Sequence, residues 1–180
     1  LNKKALKKLL SRSFDIMGGE ETAFFADRIK NTGFKYATVS GLSISKSDMF
    51  TPANKDDLVR HGEDKIKVIQ RAYWHGLLTD KERYEQTIKV WNTVKNQVSA
   101  EMKTAFNQQN SIFNLIDSGA RWDWGNVAQM CGMKWLVASP SGKTIELPVK
   151  GNYKEGLSVL EYFINTHSGR KGKADTALKT

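Results

Sequence analysis

Residues 51–110 read TPANKDDLVRHGEDKIKVIQRAYWHGLLTDKERYEQTIKVWNTVKNQVSAEMKTAFNQQN, and this stretch decides the fold. Apolar residues recur at helical spacing in both of its halves, which a short GLLT link joins. Thr51-Pro52 is a typical helix opening, and Thr79 with Glu82 forms the T-x-x-E pattern of a capping box. The stretch therefore predicts a long antiparallel helical hairpin.

The tip of this hairpin, residues 74–86, is predicted to project from the body, because two arms of this length exceed the width of a small domain. The apolar stripes of the arms are best explained as the seam that packs the two helices together. The tip itself mixes charged and aromatic residues, which is typical of either a docking surface or a plain exposed turn.

The segments before the hairpin predict shorter elements. Residues 2–17 form an amphipathic pattern that Gly18-Gly19 ends, and residues 20–33 form a second helical pattern with Gly33 as its stop. Residues 34–45, FKYATVSGLSIS, predict a small pair of strands.

The segments after the hairpin are rich in loops. They predict a short helix over residues 126–133, a turn at SPSG and a final helix that begins at Leu157. The predicted fold class is mainly α with a few short strands, built from the long hairpin, a loop-rich region and a terminal helix. The predicted regions are 1–50, 51–110, 111–156 and 157–180.

The composition is that of a soluble globular protein, with 39% hydrophobic and 26% charged residues in a chain of 180. The formal net charge of +9 favours an anionic partner such as a nucleic acid or a nucleotide. The single Cys131 excludes an intrachain disulfide and a cysteine-cluster zinc site. No apolar run is long enough to predict a membrane span, so we expect a cytoplasmic protein, and the first residue, Leu1, leads us to expect an excerpt from a longer chain.

The sequence carries no recognisable reaction centre. It contains no phosphate-binding P-loop, no H-E-x-x-H and no G-x-S-x-G pattern, and no D-x-D cluster for Mg²⁺. The three histidines lie far apart, and only His167 stands in a glycine-rich context. We therefore predict no catalytic residue and no metal site within the chain.

Basic side chains beside glycine are the sharper signal. Arg121 lies in DSGARW, Lys134 in CGMKWL, and Arg170-Lys171 in SGRKG. Glycine lets a backbone approach a phosphate closely, so three such places favour a nucleotide or nucleic-acid surface.

These same stretches resemble the largest (β′) subunit of bacterial RNA polymerase. The resemblance is carried by DSGAR, by QMCGMKWLVASPSGKTIELPV and by EGLSVLEYFINTHSGRKGKADTALKT, with NKKAL, GFKYATVSG and GLLTDKERYEQTIKVW upstream in the same order. It covers essentially the whole chain and is most specific over residues 155–180.

The resemblance implies a role for each segment. The hairpin would form the rim and funnel of the secondary channel through which nucleoside triphosphates (NTPs) enter, and its tip would be where secondary-channel factors dock. Arg121 would contact the NTP phosphates, and the last helix would be the start of the bridge helix, which bends during translocation. The implied residues are Leu77, Thr79, Arg83 and Tyr84 for docking, Gln129 and Lys134 in the F-loop, and His167, Arg170, Lys171, Thr176, Ala177 and Thr180 in the bridge helix.

The implied activity is DNA-templated nucleotidyl transfer by the multisubunit enzyme, with the Mg²⁺ ligands outside this chain and no cofactor bound by it. The implied partners are the β, α and ω subunits, the remainder of β′, the DNA template, the RNA product and NTPs, and the chain alone would be inactive. Two alternatives stay open from the sequence: a stand-alone basic protein that binds nucleic acid or mimics a polymerase segment, and a purely structural interaction module.

The sequence departs from the family at two tryptophans. Trp122 and Trp135 stand where the family usually has glycine, in loops where glycine generally means a positive φ or a close backbone approach. The simplest hypothesis is that UGA codons read as glycine by the organism have been rendered as tryptophan; UGG codons at both positions would contradict it. Ser168-Gly169 also replaces the usual Gly-Ala pair.

Overall fold

The computed structural model describes residues 3–180 and is mainly α-helical, as predicted. The helices, in chain order, are α1 (Lys3–Ser40), α2 (Lys55–Trp74), α3 (Asp80–Ala105), α4 (Ser111–Asp117), α5 (Trp124–Val127) and α6 (Val159–Lys179). A 3₁₀ turn covers Lys46–Asp48, and a π-helical turn, Ala128–Gly132, continues α5. The described residues form two compact units, 3–48 with 107–123 and 49–106 with 124–180. The four predicted regions stay a prediction.

Helix α1 corrects the predicted boundaries in the first unit. Its kink lies at Gly18, whose φ of 76° and ψ of −178° are not helical, so the predicted break at this glycine is confirmed. Gly33 was expected to end the second helix, but it lies inside α1, and the helix continues to Ser40. The effective stop is Gly41, because its φ of 58° is the left-handed conformation that terminates helices.

The predicted strand pair over residues 34–45 is wrong. Residues 34–40 are the last turns of α1, where the hydroxyl of Thr38 donates to the carbonyl of Phe34 at 2.9 Å, one turn earlier. This local bond lets a β-branched residue remain in a helix. Strand-like pairing in the described residues is limited to two isolated antiparallel bridges, Trp135 with Val149 and Ala138 with Thr144.

The antiparallel hairpin of α2 and α3 is confirmed, and so is the capping box at Thr79 and Glu82. The predicted opening of α2 at Thr51-Pro52 is wrong, because the helix begins at Lys55 with Asn54 as its N-cap. The hydroxyl of Thr51 instead accepts a hydrogen bond from the buried Asn152 at 3.3 Å.

The seam of the hairpin is buried by close packing. A buried cluster joins Val59 of α2, Trp91, Val94 and Val98 of α3, and Met133 beyond the π-helical turn. Gly62 lets the two helices approach closely, since a Cβ built there would lie 2.7 Å from Val94 Cγ2. The hairpin therefore provides the firm base on which the second unit is built.

Helix α6 is fixed mainly at its start. Ser158 and Glu161 form a capping box, and Ile164 packs with Val137 and Val149 in a second buried cluster. Leu160 and Phe163 of the same helix are 62% and 61% exposed.

Candidate functional site

The predicted docking residues at the hairpin tip fall into two classes. Leu77 is 75% exposed and Thr79 is an exposed helix cap. The side chains of Arg83 and Tyr84 instead bond to residues 143–146. Only the first two therefore present a free surface in the described chain.

Arg83 is held on three sides. Its guanidinium forms a two-pronged ion pair with Glu146, with Nη2 3.0 Å from Oε1, and it also bonds to Asp80 at 2.8 Å. The guanidinium also lies over the ring of Tyr73, 5.4 Å from its centroid. The hydrogen bonds to Glu146 and Asp80 raise the pKa of Arg83, so this side chain is a fixed positive charge.

Tyr84 is bound to the same loop. Its hydroxyl donates to the carbonyl of Thr144 at 3.0 Å, and the ammonium of Lys143 lies 4.7 Å from the ring centroid. Together with the pair between Arg83 and Glu146, these contacts fasten the loop to the first turns of α3.

The structure brings together the two predicted F-loop residues. The ammonium of Lys134 donates to the side-chain carbonyl of Gln129, and it also lies 5.3 Å from the centroid of the Tyr153 ring. The backbone N–H of Lys134 bonds to the carbonyl of Gly151 at 3.0 Å. Gln129 and Lys134 thus form one polar patch, with Lys134 already carrying a partner.

The predicted residues of α6 divide at Lys171. The residues up to and including Lys171, namely His167, Arg170 and Lys171, line an open cleft of about 410 Å³ together with Pro140. Lys171 reaches across it and donates to the carbonyl of Pro140 at 3.1 Å. The later residues Thr176, Ala177 and Thr180 are exposed, and the two threonine hydroxyls bond back to their own helix.

Arg121 lies in the other unit, in the loop that follows α4. Its backbone N–H bonds to the carbonyl of Leu115 at 3.3 Å, and its side chain is exposed to solvent. Gly119, with a φ of 71°, turns the chain so that this short loop closes on the helix end. The loop thus presents an exposed cation, which is suited to a phosphate.

Trp122 and Trp135 adopt the backbone conformation that their positions suggested. Their φ values are 64° and 61°, and in the described chain they are the two residues other than glycine with positive φ. Left-handed backbone is rare for a bulky residue and easy for glycine. Glycine, which the family usually has at these two positions, would adopt this backbone without strain.

No group of three or more metal-ligating side chains occurs within residues 3–180. Across the same residues, no helix is both long and apolar enough to cross a bilayer. Cys131 is fully buried, and burial raises the pKa of its thiol, which keeps it protonated and unreactive.

Sequence reasoning missed the residues that hold the site in place. Glu146 clasps the hairpin tip, and Asn152, fully buried, donates to the carbonyls of Cys131 and Gly132 and accepts from the N–H of Glu155. A charge in a TIELP strand-like run and an asparagine in GNY carry no signal of burial or of a distant partner. These contacts depend on residues up to 63 positions away.

Comparison with known proteins gives consistent matches. The family model "RNA polymerase Rpb1, domain 3" matches residues 1–49, and "RNA polymerase Rpb1, domain 4" matches residues 78–154. The chain is 44% identical over 180 residues to the DNA-directed RNA polymerase subunit beta' of Caldicellulosiruptor saccharolyticus, which covers 100% of the chain and 16% of that protein. It is 41% identical over 179 residues to the same-named subunits of Bacillus thuringiensis and Bacillus anthracis, which covers 99% of the chain and 15% of each. The chain thus spans about a sixth of the length of these relatives.

Proposed function

Since the chain belongs, over its matched length, to the family of bacterial RNA polymerase β′ subunits, we propose that it serves DNA-templated RNA synthesis as part of that subunit. The observation that carries this proposal is the 44% identity spread over all 180 residues. The nucleotidyl transfer itself belongs to the complete enzyme, in which this chain contributes nucleotide entry, factor docking and translocation.

The residues support separate roles in that work. We assign Arg121 to the phosphates of the incoming nucleotide, because its guanidinium is exposed and can form charge-assisted hydrogen bonds with phosphate oxygens. We assign α6 to the bridge helix and the α2–α3 tip to the docking of secondary-channel factors.

The proposed partners follow from this placement. They are the β, α and ω subunits, the remainder of β′, the DNA template, the RNA product and NTPs, in the cytoplasm. Mg²⁺ would be held by residues of the complete enzyme outside this chain. The net charge of +9 suits these polyanionic ligands.

The alternative of a stand-alone nucleic-acid-binding or mimicking protein has less support. A mimic needs only the surface that it copies, whereas the similarity here, 44% identity over 180 residues, runs through 100% of the chain. A purely structural module also has less support, because the side chain of Arg121 is exposed and not packed in a core.

A segment exchange tests the proposal. The homologous stretch of the Bacillus thuringiensis subunit is replaced by this chain, the enzyme is reassembled, and templated RNA synthesis is measured. We expect synthesis, and we expect Arg121→Ala to raise the KM for NTPs by about 10- to 100-fold through loss of a charge-assisted hydrogen bond. Arg60→Ala, an exposed arginine on α2 with no assigned role, is the matched control and should leave the KM unchanged.

Two results would contradict the proposal. An assembled but inactive exchanged enzyme would argue against the family function of this chain. An active enzyme with an unchanged KM after Arg121→Ala would remove the phosphate role of that residue alone.

A further inference from the structure

One two-stranded loop, residues 135–149, contacts both the hairpin tip and helix α6; we name it the bridging loop. Trp135 and Val149 exchange two backbone hydrogen bonds of 2.9 Å, and Ile145 N–H bonds to the carbonyl of Val137 at 2.9 Å. At its far end, Ser139 N–H bonds to Lys143 at 2.8 Å. This ladder makes the loop a stiff body rather than a slack connection.

The first side of the bridging loop is fixed to the tip. Glu146 pairs with Arg83, the carbonyl of Thr144 accepts from the Tyr84 hydroxyl, and Lys143 lies over the Tyr84 ring. The side chain of Arg83 is only 14% exposed, so this ion pair is partly shielded from solvent.

The second side of the bridging loop is fixed to α6 at two points. Val137 and Val149 pack against the buried Ile164, and the carbonyl of Pro140 accepts from Lys171 Nζ at 3.1 Å. Ile164 and Lys171 are seven residues apart, which places them on one face of α6 about two turns from each other. Within the described chain, Lys171 provides the last hydrogen bond from α6 to another element.

The part of α6 around and beyond Lys171 is easily deformed. Gly169 and Gly172 lie on either side of this residue. A Cβ added at either glycine would have no neighbour within 4 Å. Glycine inside a helix costs about 1 kcal/mol relative to alanine, so the helix is weakest where the bridging loop grips it.

We propose that the bridging loop transmits changes at the hairpin tip to α6, with Lys171 as the point of release. A partner that draws Arg83 or Tyr84 away from the loop frees the Pro140 end, and α6 then loosens from Lys171 onward. The consequence for RNA synthesis rests on the proposed function, whereas the coupling itself is a property of this chain.

Hydrogen exchange measured by mass spectrometry on the full chain tests the coupling without any assay of activity. We expect Glu146→Ala to accelerate exchange of the α6 amides from Lys171 onward by about three- to tenfold, the loss of one modest hydrogen bond. Leu77→Ala is the matched control, because Leu77 lies at the same tip, is 75% exposed and has no bond to the bridging loop.

Tyr84→Phe serves as a second perturbation in case Glu146→Ala unfolds the loop, which rapid exchange within residues 135–149 would reveal. It removes only the hydroxyl that bonds to Thr144 and keeps the ring under Lys143. Coupling is reciprocal, so Lys171→Met should accelerate exchange in residues 143–146 by a similar factor.

Unchanged exchange in α6 after both Glu146→Ala and Tyr84→Phe, or equal acceleration by Leu77→Ala, would overturn the proposal. These outcomes are independent of the segment exchange. If the exchanged enzyme makes RNA but the coupling is absent, the proposed function stands and the coupling falls. If the exchanged enzyme is inactive but the coupling is present, the coupling stands and the proposed function falls.

Discussion

Replacing Trp122 and Trp135 by glycine is expected to relieve backbone strain. Both residues have φ near 60°, and the other positive-φ positions of the described chain are all occupied by glycine. Left-handed backbone costs an L-residue about 1–2 kcal/mol, because Cβ crowds the following carbonyl oxygen. The two tryptophans therefore carry strain that glycine would not.

The magnitude is best isolated by comparing glycine with alanine at each position. Both substitutions remove the indole, including the contact between Trp135 and Lys95, whose ammonium lies 4.2 Å from the ring centroid. Glycine gains the 1–2 kcal/mol of relieved strain and loses about 0.5–1 kcal/mol through the greater freedom of the unfolded chain. We therefore expect the glycine variants to be about 1 kcal/mol more stable than the alanine variants.

Urea unfolding followed by circular dichroism measures this difference in free energy of unfolding. Two glycines of the chain calibrate it. Gly119→Ala, at a φ of 71°, should destabilise by about 1 kcal/mol. Gly33→Ala, in open space inside α1, should stabilise by about 0.5–1 kcal/mol, because alanine favours helix.

Alanine variants as stable as the glycine variants at positions 122 and 135, with both calibrating glycines behaving as stated, would refute the strain argument. If glycine is favoured, the hypothesis of UGA codons read as glycine gains a physical reason. The gene sequence and the mass of the natural protein then decide it, and UGG codons at both positions would contradict it.

Three further outcomes are expected. Glu161→Ala should destabilise the protein by about 2 kcal/mol at pH 7. Burial raises the pKa of Glu161, but the hydrogen bonds that it accepts from the N–H groups of Ser158, Gly151 and Lys150 outweigh this effect, so its pKa in the folded protein lies below the ordinary carboxyl value. The stabilisation is therefore present above the ordinary carboxyl pKa and is lost as the pH falls through the folded value. Urea unfolding at pH 7 and pH 3 should show that cost shrinking in acid. Gly62→Ala should destabilise by a net 1–2 kcal/mol, roughly, by forcing α2 from α3, and thermal unfolding would show it. Asn152→Ala should cost about 2–3 kcal/mol in the same measurement, because buried carbonyls lose their donor.

The features of the fold that could be predicted from the sequence depend on residues close together in the chain. The Thr79 and Glu82 capping box, the arms of the hairpin and the SPSG turn depend on residues within a few positions of each other, and the structure contains all of them. Even the conformation of Trp122 and Trp135 could be anticipated, because it is a local backbone requirement. Caps, turns and local backbone conformation are set by neighbouring residues, so they can be predicted from a single sequence.

Competition between signals explains the misses. Gly33 and Gly41 are both plausible helix stops, but a glycine ends a helix only where the chain also turns to positive φ, and that turn occurs at Gly41. Thr51 looked like a cap, yet its hydroxyl is taken by Asn152, about a hundred residues later. Such long-range partners leave no local trace.

The hairpin tip contains both exposed residues and residues bonded to the bridging loop, and the two kinds require different tests. Leu77 is exposed, whereas Arg83 and Tyr84 are already bound to the bridging loop. If a factor docks at the tip as we propose, it must compete with Glu146 and Thr144 for these two residues. A factor that only rests on the apolar tip should lose affinity on Leu77→Ala, by about 10-fold or more for a buried leucine contact, and be indifferent to Tyr84→Phe. A factor that displaces the loop should instead bind Tyr84→Phe more tightly, because the competing hydrogen bond to Thr144 is gone. Titration of both variants of the exchanged enzyme with one secondary-channel factor distinguishes these modes, and weaker binding to Tyr84→Phe with unchanged binding to Leu77→Ala would contradict both.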